Sequence, residues 1–227
     1  MVAELCRGPR LAPRVLGRDA GAVRAAFVPT QAGPLAGDRD RTRIVVGAGA
    51  TLIVEPVAAT LALPGAARTL LALDITVEAG GRLVLDEAPL IVAAGAEVER
   101  RCTLALGEGA VAALRETVVL GRDGEPPGTL VSTLRATLDD RALLHDALRL
   151  GPSRDDAHVA LAPGHRVIGT ACVLGMRPGD GSCEGAYALA GPGALLRATG
   201  ASLAVTDAAT AATWAAWSRA SRRQVPG

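Results

Sequence analysis

Gly107-Glu108-Gly109-Ala110-Val111-Ala112-Ala113-Leu114-Arg115-Glu116-Thr117-Val118-Val119-Leu120 is a small-residue turn followed by an alternating run. Side chains of a strand point to opposite faces in turn, so such a run reads as a strand. It ends in Gly121-Arg122-Asp123-Gly124-Glu125-Pro126-Pro127-Gly128, a charged turn rich in Gly and Pro. The same device recurs upstream. Gly47 to Ala50 precedes Thr51 to Val57, Glu78 to Gly81 precedes Arg82 to Glu87, and Ala93 to Ala96 precedes Glu97 to Leu106. The turns start 31, then 15, then 14 residues apart, an irregular internal repeat. A unit of one turn and one short strand cannot bury its apolar face alone. The copies must therefore stack as two sheets or as a coil of sheet.

Working outward, further strands are predicted at residues 22–29, 60–63, 68–78, 129–138 and 142–150, the last two joined at Asp139-Asp140-Arg141. Arg43 to Val46 and Thr51 to Val57, separated by Gly47 to Ala50, read as a hairpin. Beyond Gly151-Pro152 weaker strand signals lie at 158–161, 166–173, 187–190 and 194–199. The stretch from Thr206 to Arg222 is Ala-rich, with Thr206 or Asp207 as the expected N-cap, and reads as a helix. Trp214 and Trp217 share one face of it and should dock on the sheet. Arg219, Arg222 and Arg223 suit its C-terminus. The organisation expected is a lead-in segment over 1–21, a β-rich domain over 22–205, and a helix over 206–222 packed on that domain.

Composition narrows the function. All 24 basic residues are arginine, balanced by 23 acids, and the net charge is +1. The net charge therefore offers no electrostatic argument for nucleic acid or an anionic membrane as partner. The first ten residues hold no uninterrupted apolar run, and no segment reaches the length of a membrane span, so a cytoplasmic protein is expected. Cys6, Cys102, Cys172 and Cys183 are scattered and read as free thiols. There is no G-x-x-x-x-G-K-[ST] and no G-x-S-x-G. The histidines His145, His158 and His165 have no metal-ligand spacing, although Cys172, Cys183 and His165 could converge on zinc. A hydrolytic site around Asp86, Glu87 and His145 is a minor alternative. The balance favours a binding or assembly role, not an enzyme.

Several stretches resemble the urease accessory protein UreD (UreH) family. They are Gly33-Pro-Leu-Ala-Gly-Asp38, Ala58-Ala-Thr60, Arg115-Glu-Thr-Val-Val-Leu-Gly-Arg122, Leu143-Leu-His-Asp146, and Leu195-Leu-Arg-Ala-Thr-Gly200 followed by the Trp-containing helix. Their order and spacing, over about residues 22 to 220, carry the likeness. The family's L-P-Q-[ED] segment stands here as Leu85-Asp-Glu-Ala-Pro89. The resemblance implies a mainly β fold, a two-layered, β-helix-like stack of short strands with a C-terminal α-helix. It also implies a non-enzymatic urease maturation factor. Such a protein docks on the urease apoprotein, works with UreF-type and UreG-type accessory proteins, and passes Ni²⁺ through its interior without a tightly bound cofactor.

A cation in transit needs carboxylates along a wet interior, each weak enough to release it. Tight His/Cys cages would trap Ni²⁺. The candidates are Asp38, Glu55, Glu87 and Glu116. Each has a plainer reading. Asp38 suits a turn cap, and Glu116 has Arg115 and Arg122 nearby in sequence for a structural salt bridge. The competing class is a β-solenoid-like structural or ligand-binding domain without a metal role. With aromatics at 2 %, it would have little on which to stack a sugar.

Overall fold

The computed structural model describes residues 5–6, 10–19, 21–152, 164–179 and 185–223. The chain winds as a β-solenoid of about four turns, alternating between two sheets. One sheet holds β1 (Leu5–Cys6), β4 (Arg39–Val46), β7 (Thr69–Val77), β10 (Glu97–Leu106), β12 (Thr129–Leu138) and β13 (Arg141–Leu150). The other holds β2 (Leu11–Asp19), β3 (Ala22–Pro29), β5 (Thr51–Glu55), β8 (Arg82–Asp86), β11 (Val111–Leu120), β14 (Val167–Leu174), β15 (Tyr187–Ala188) and β16 (Gly193–Gly200). The short strands β6 (Thr60–Ala62) and β9 (Leu90–Val92) pair with each other, and β9 joins β11. The rungs β4–β7–β10–β12 and β3–β5–β8–β11 are parallel. The later pairings, β12–β13, β11–β14 and β14–β16, are antiparallel.

The small-residue turns make the coil. Residues 47–50, 78–81 and 107–110 carry the chain from the first sheet to the second, and they stack. Gly49 N–H donates to Ala79 O at 3.0 Å, and Gly80 N–H donates to Glu108 O at 2.8 Å. The third residue of each turn, Gly49, Gly80 or Gly109, has φ between 63° and 65°, which favours glycine. The turn at 93–96 lies on the other edge of the coil, where the chain returns to the first sheet. The true period is thus the 31 and 29 residues between like corners, and the 15 and 14 are half-coils.

This geometry corrects the hairpin expected at Gly47 to Ala50. β4 and β5 belong to different sheets and do not pair. Among the described residues the hairpins are β2–β3, β15–β16, and β12–β13 through Asp139 and Asp140, both at positive φ. The segment before residue 22 contributes β1 and β2 at the sheet edges. The expected strand at 158–161 lies outside the described residues.

The helix α1 runs Leu203–Arg222, three residues earlier than its sequence suggested. Ser202 is the N-cap, its hydroxyl accepting from Val205 N–H at 3.4 Å. Thr206 is fully buried where the helix crosses β14 and β16. A Cβ on Gly169 or Gly200 would come within 2.8 Å or 2.7 Å of its side chain, so those glycines permit the close approach. Trp217 (1 % exposed) and Trp214 (9 %) pack on Ile53, Val84, Val111, Ala113 and Val173, on the outer face of the second sheet. Among the described residues no helix is long and apolar enough to cross a membrane.

Candidate functional site: a polar row through the interior

The space between the sheets is apolar at both edges. Ile44, Leu52, Leu83 and Leu104 anchor one cluster, and Leu90, Val92, Val98 and Val118 anchor the other. Between them runs a polar row set by strand register. In the first sheet Asp40 lies beside Leu71, Leu71 beside Arg100, and Arg100 beside Ser132. In the second sheet Glu116 lies beside Thr170, and Thr170 beside Arg197. Glu87 extends that row by one coil, because its neighbour Asp86 pairs with Arg115 and its own N–H donates to Arg115 O at 3.0 Å.

Alternation separates Glu116 from the arginine next to it. Arg115 faces outward, holding Asp86 at 2.8 and 2.6 Å and lying 5.2 Å over the Trp214 ring. Glu116 faces inward, and its partner is Arg100, reached across the gap from the opposite sheet. Arg122 is engaged elsewhere with Glu125, whose carboxyl is held down at about 2 by that hydrogen bond. Neither arginine beside Glu116 in sequence is therefore its partner.

Arg100 is the centre of the row. One Nη donates to Glu87 Oε1 at 2.5 Å, and the other forms an ion pair with Glu116 Oε2. Their side chains are 10 %, 27 % and 17 % exposed for Arg100, Glu87 and Glu116, so three charges share a nearly dry space. Burial works against the Arg100 charge, but the two carboxylates outweigh it and hold the guanidinium more firmly protonated than usual. Burial pushes the Glu116 carboxyl above its ordinary range; Arg100 opposes this and Glu87 reinforces it. The Glu116 Oε2 atom is sealed from solvent, and its ion-pair contact with Arg100 lacks hydrogen-bond geometry. Such a group costs free energy unless a cation or donor meets it.

Two more pairs continue the row. Arg10 sits on Asp40, with Asp38 at 3.8 Å. At the opposite end Arg197 holds Asp146 at 2.5 Å. Two cavities follow this line. The larger one, of about 130 Å³, is lined by Arg10, Asp40, Thr60, Leu71, Glu87 and Arg100 among others. An inner chamber is lined by Glu87, Arg100, Cys102, Glu116, Thr170 and Cys172 with two leucines. Burial pushes the Cys102 thiol up to about 12 and raises Cys172 as well, so both are neutral thiols.

Of the four acids singled out from sequence, Glu87 and Glu116 meet on Arg100. Asp38 caps its turn, accepting from Leu35 N–H at 2.9 Å, beside the Arg10 end of the row. Glu55 lies at the rim, where Arg24 grips both its oxygens at 2.7 and 3.0 Å and holds its carboxyl below the usual range. Asp40, Asp146, Arg10, Arg100 and Arg197 were not among the candidates drawn from the sequence. Three resemblance stretches nevertheless converge here, through Glu116, Asp146 and Arg197. The alternative hydrolytic trio does not assemble, since Asp86 faces outward, Glu87 inward, and His145 is exposed beside Arg135. Cys183, invoked for zinc, lies outside the described residues. Among the described residues no group of three or more His, Cys, Asp or Glu is placed to hold a metal ion.

The chain matches the family model described as UreD urease accessory protein over residues 3–226. It is similar to urease accessory protein UreD 1 of Streptomyces griseus, at 40 % identity over 199 residues, covering 87 % of this chain and 78 % of that one. It is also similar to urease accessory protein UreD of a Parafrankia strain, at 35 % identity over 225 residues, covering 86 % and 76 %. With urease accessory protein UreD of Streptomyces coelicolor the identity is 37 % over 206 residues, covering 84 % and 80 %.

Proposed function

Because this chain belongs to the UreD family of urease accessory proteins, we propose that it is a non-enzymatic scaffold that conducts Ni²⁺ to the urease apoprotein in the cytoplasm, acting with UreF-type and UreG-type partners. The observation that supports a conduit is the interior row of Asp40, Glu87, Glu116 and Asp146, strung along the coil between two apolar clusters. Carboxylates suit a hydrated divalent cation that must move on, whereas thiolate cages hold it. Ni²⁺ is cargo in this reading, not a resident cofactor. Nucleotide hydrolysis is left to the UreG-type partner, in keeping with the missing phosphate-binding loop.

The test is reconstitution. The chain is co-expressed with the host's UreF and UreG candidates and the urease subunits, and urease activity is measured for wild type and Glu116→Gln. Activity should require the chain and should fall in the variant while the complex still assembles. Activity that needs the chain but ignores Glu116→Gln would leave a scaffold without a conduit. Activity independent of the chain would favour the structural β-solenoid reading.

A further inference from the structure

Glu87 and Arg100 are the only two residues that line both the larger cavity and the inner chamber among those described. Their 2.5 Å pair is therefore the wall between the two spaces. From this we infer that Arg100 is the gate of the interior: its guanidinium, bridging Glu87 and Glu116, closes the passage, and a divalent cation crosses only by displacing it. The inference rests on the conduit reading for its biological meaning, though the gate itself is a property of the chain.

Charge makes the gate effective. With Arg100 seated, the three groups sum to −1, and a divalent cation arriving beside them meets a guanidinium already occupying both carboxylates. With Arg100 withdrawn, Glu87 and Glu116 sum to −2 and match a divalent cation. On the arginine side the lock does not titrate, because an arginine keeps its proton. Opening from the arginine side must therefore come from displacement. In its own sheet Arg100 is flanked by Leu71 and Ser132, neither charged, so the side chain has reason to reach across the gap to the carboxylates of the other sheet. A long, flexible stem tethered on one wall and held by charge on the other is suited to swing.

Two readouts test this on the full-length chain. In equilibrium dialysis against Ni²⁺, Arg100→Met should retain at least about tenfold more nickel than wild type, since the unpaired carboxylates then need a cation. Arg100→Met combined with Glu116→Gln should return to the wild-type level. Equal retention by wild type and Arg100→Met, or retention unchanged by the added Glu116→Gln, overturns the inference. The second readout needs no metal. Cys102 and Cys172 line the chamber behind the gate, so in a Cys6→Ser, Cys183→Ser background their reaction with a small methanethiosulfonate reports opening.

For that measurement Arg100→Gln with Glu116→Gln keeps the net charge of the cluster at −1 and leaves only Glu87, the more exposed of the two acids, without its arginine. Its thiols should react faster than wild type. Trp217→Ala, which loosens the outer face, controls for general destabilisation. If it exposes the thiols as much as the gate variant does, or if the gate variant exposes them no more than wild type, the gate is refuted. Failure of the conduit is distinguishable: nickel retention and thiol exposure would follow the gate pattern while urease activation ignored every interior variant.

Discussion

Arg100→Met and Glu116→Gln remove opposite ends of one ion pair, and the structure predicts that they are far from equivalent. Arg100 is the shared partner of Glu116, whose Oε2 is sealed from solvent, and of the half-buried Glu87. Its removal leaves Glu116 with no cation in contact, and breaking a buried pair from one side costs about 3–5 kcal/mol. For a chain of this size that corresponds to a fall of roughly 6–20 °C in Tm. Glu116→Gln leaves Arg100 on Glu87, so no charge is orphaned, and the change should lie within about 1 kcal/mol of zero or be stabilising.

The pH dependence sharpens the contrast. The folded carboxyl of Glu116 lies above its ordinary 4.5, chiefly through burial. Between 4.5 and the raised value the native state binds more protons than the unfolded state, so stability falls as pH rises through that window. Arg100→Met raises the carboxyl further and should be most damaging at neutral pH, recovering in acid as Glu116 protonates. Glu116→Gln removes this contribution, flattening that part of the profile and gaining on wild type above the window. Urea unfolding followed from neutral to acidic pH measures all of it. Equal losses for the two variants, or an Arg100→Met penalty that does not shrink in acid, would refute the reasoning.

Two further predictions concern the frame around the site. Trp217→Ala should cost about 3–5 kcal/mol by opening a cavity under α1, whereas Trp217→Phe should cost far less, because the buried Trp217 Nε1 has no hydrogen-bond partner to lose; chemical denaturation of both variants checks the difference. At the corner following β11, a Cβ on Gly128 would lie 2.3 Å from Ala93 O and 2.9 Å from Ala96 O, so Gly128→Ala should cost about 1–3 kcal/mol. Gly17→Ala, with nothing within 4 Å of the added atom, should leave the thermal midpoint nearly unchanged.

Much of the fold was legible because each rung carries its own local signature. β3 falls at Ala22–Pro29 and β10 and β11 at Glu97–Leu106 and Val111–Leu120, as alternation indicates. What misled was connectivity. Gly47 to Ala50 looks like a hairpin loop because a turn with glycine at positive φ is common to both architectures, and only pairing across coils decides between them. Thr206 misled in another way. Its hydroxyl reads as a cap, yet it is chosen for a close crossing over Gly169 and Gly200, a long-range contact that no local window contains.

The site was half legible for the same reason. Glu87 and Glu116 are 29 residues apart, the same interval that separates the corners at 78 and 107, so a strict coil period already places them on one row. Leu71 and Arg100 share that interval, and Asp40 precedes Leu71 by the 31 residues of the earlier coil. Period and strand parity together thus reach Arg100 from its own sheet. They cannot say that it crosses to the other sheet, because the offset between facing sheets is set by corner lengths and side-chain packing, not by sequence interval. Hence the nearest arginines in sequence, Arg115 and Arg122, were the natural partners for Glu116, and both are wrong. A solenoid repeats its inner positions every coil, so it can place polar residues along one line only by breaking its apolar pattern at the same register in successive turns. Glu87 and Glu116 do this in successive coils, and Thr170 and Arg197 continue their row. Each break costs burial of a charge or a polar group, offset here by arginines from across the gap. If stability alone were at work, an apolar residue at each of these positions would serve the coil as well or better, and the row is therefore the part of this molecule whose physical cost most needs a function.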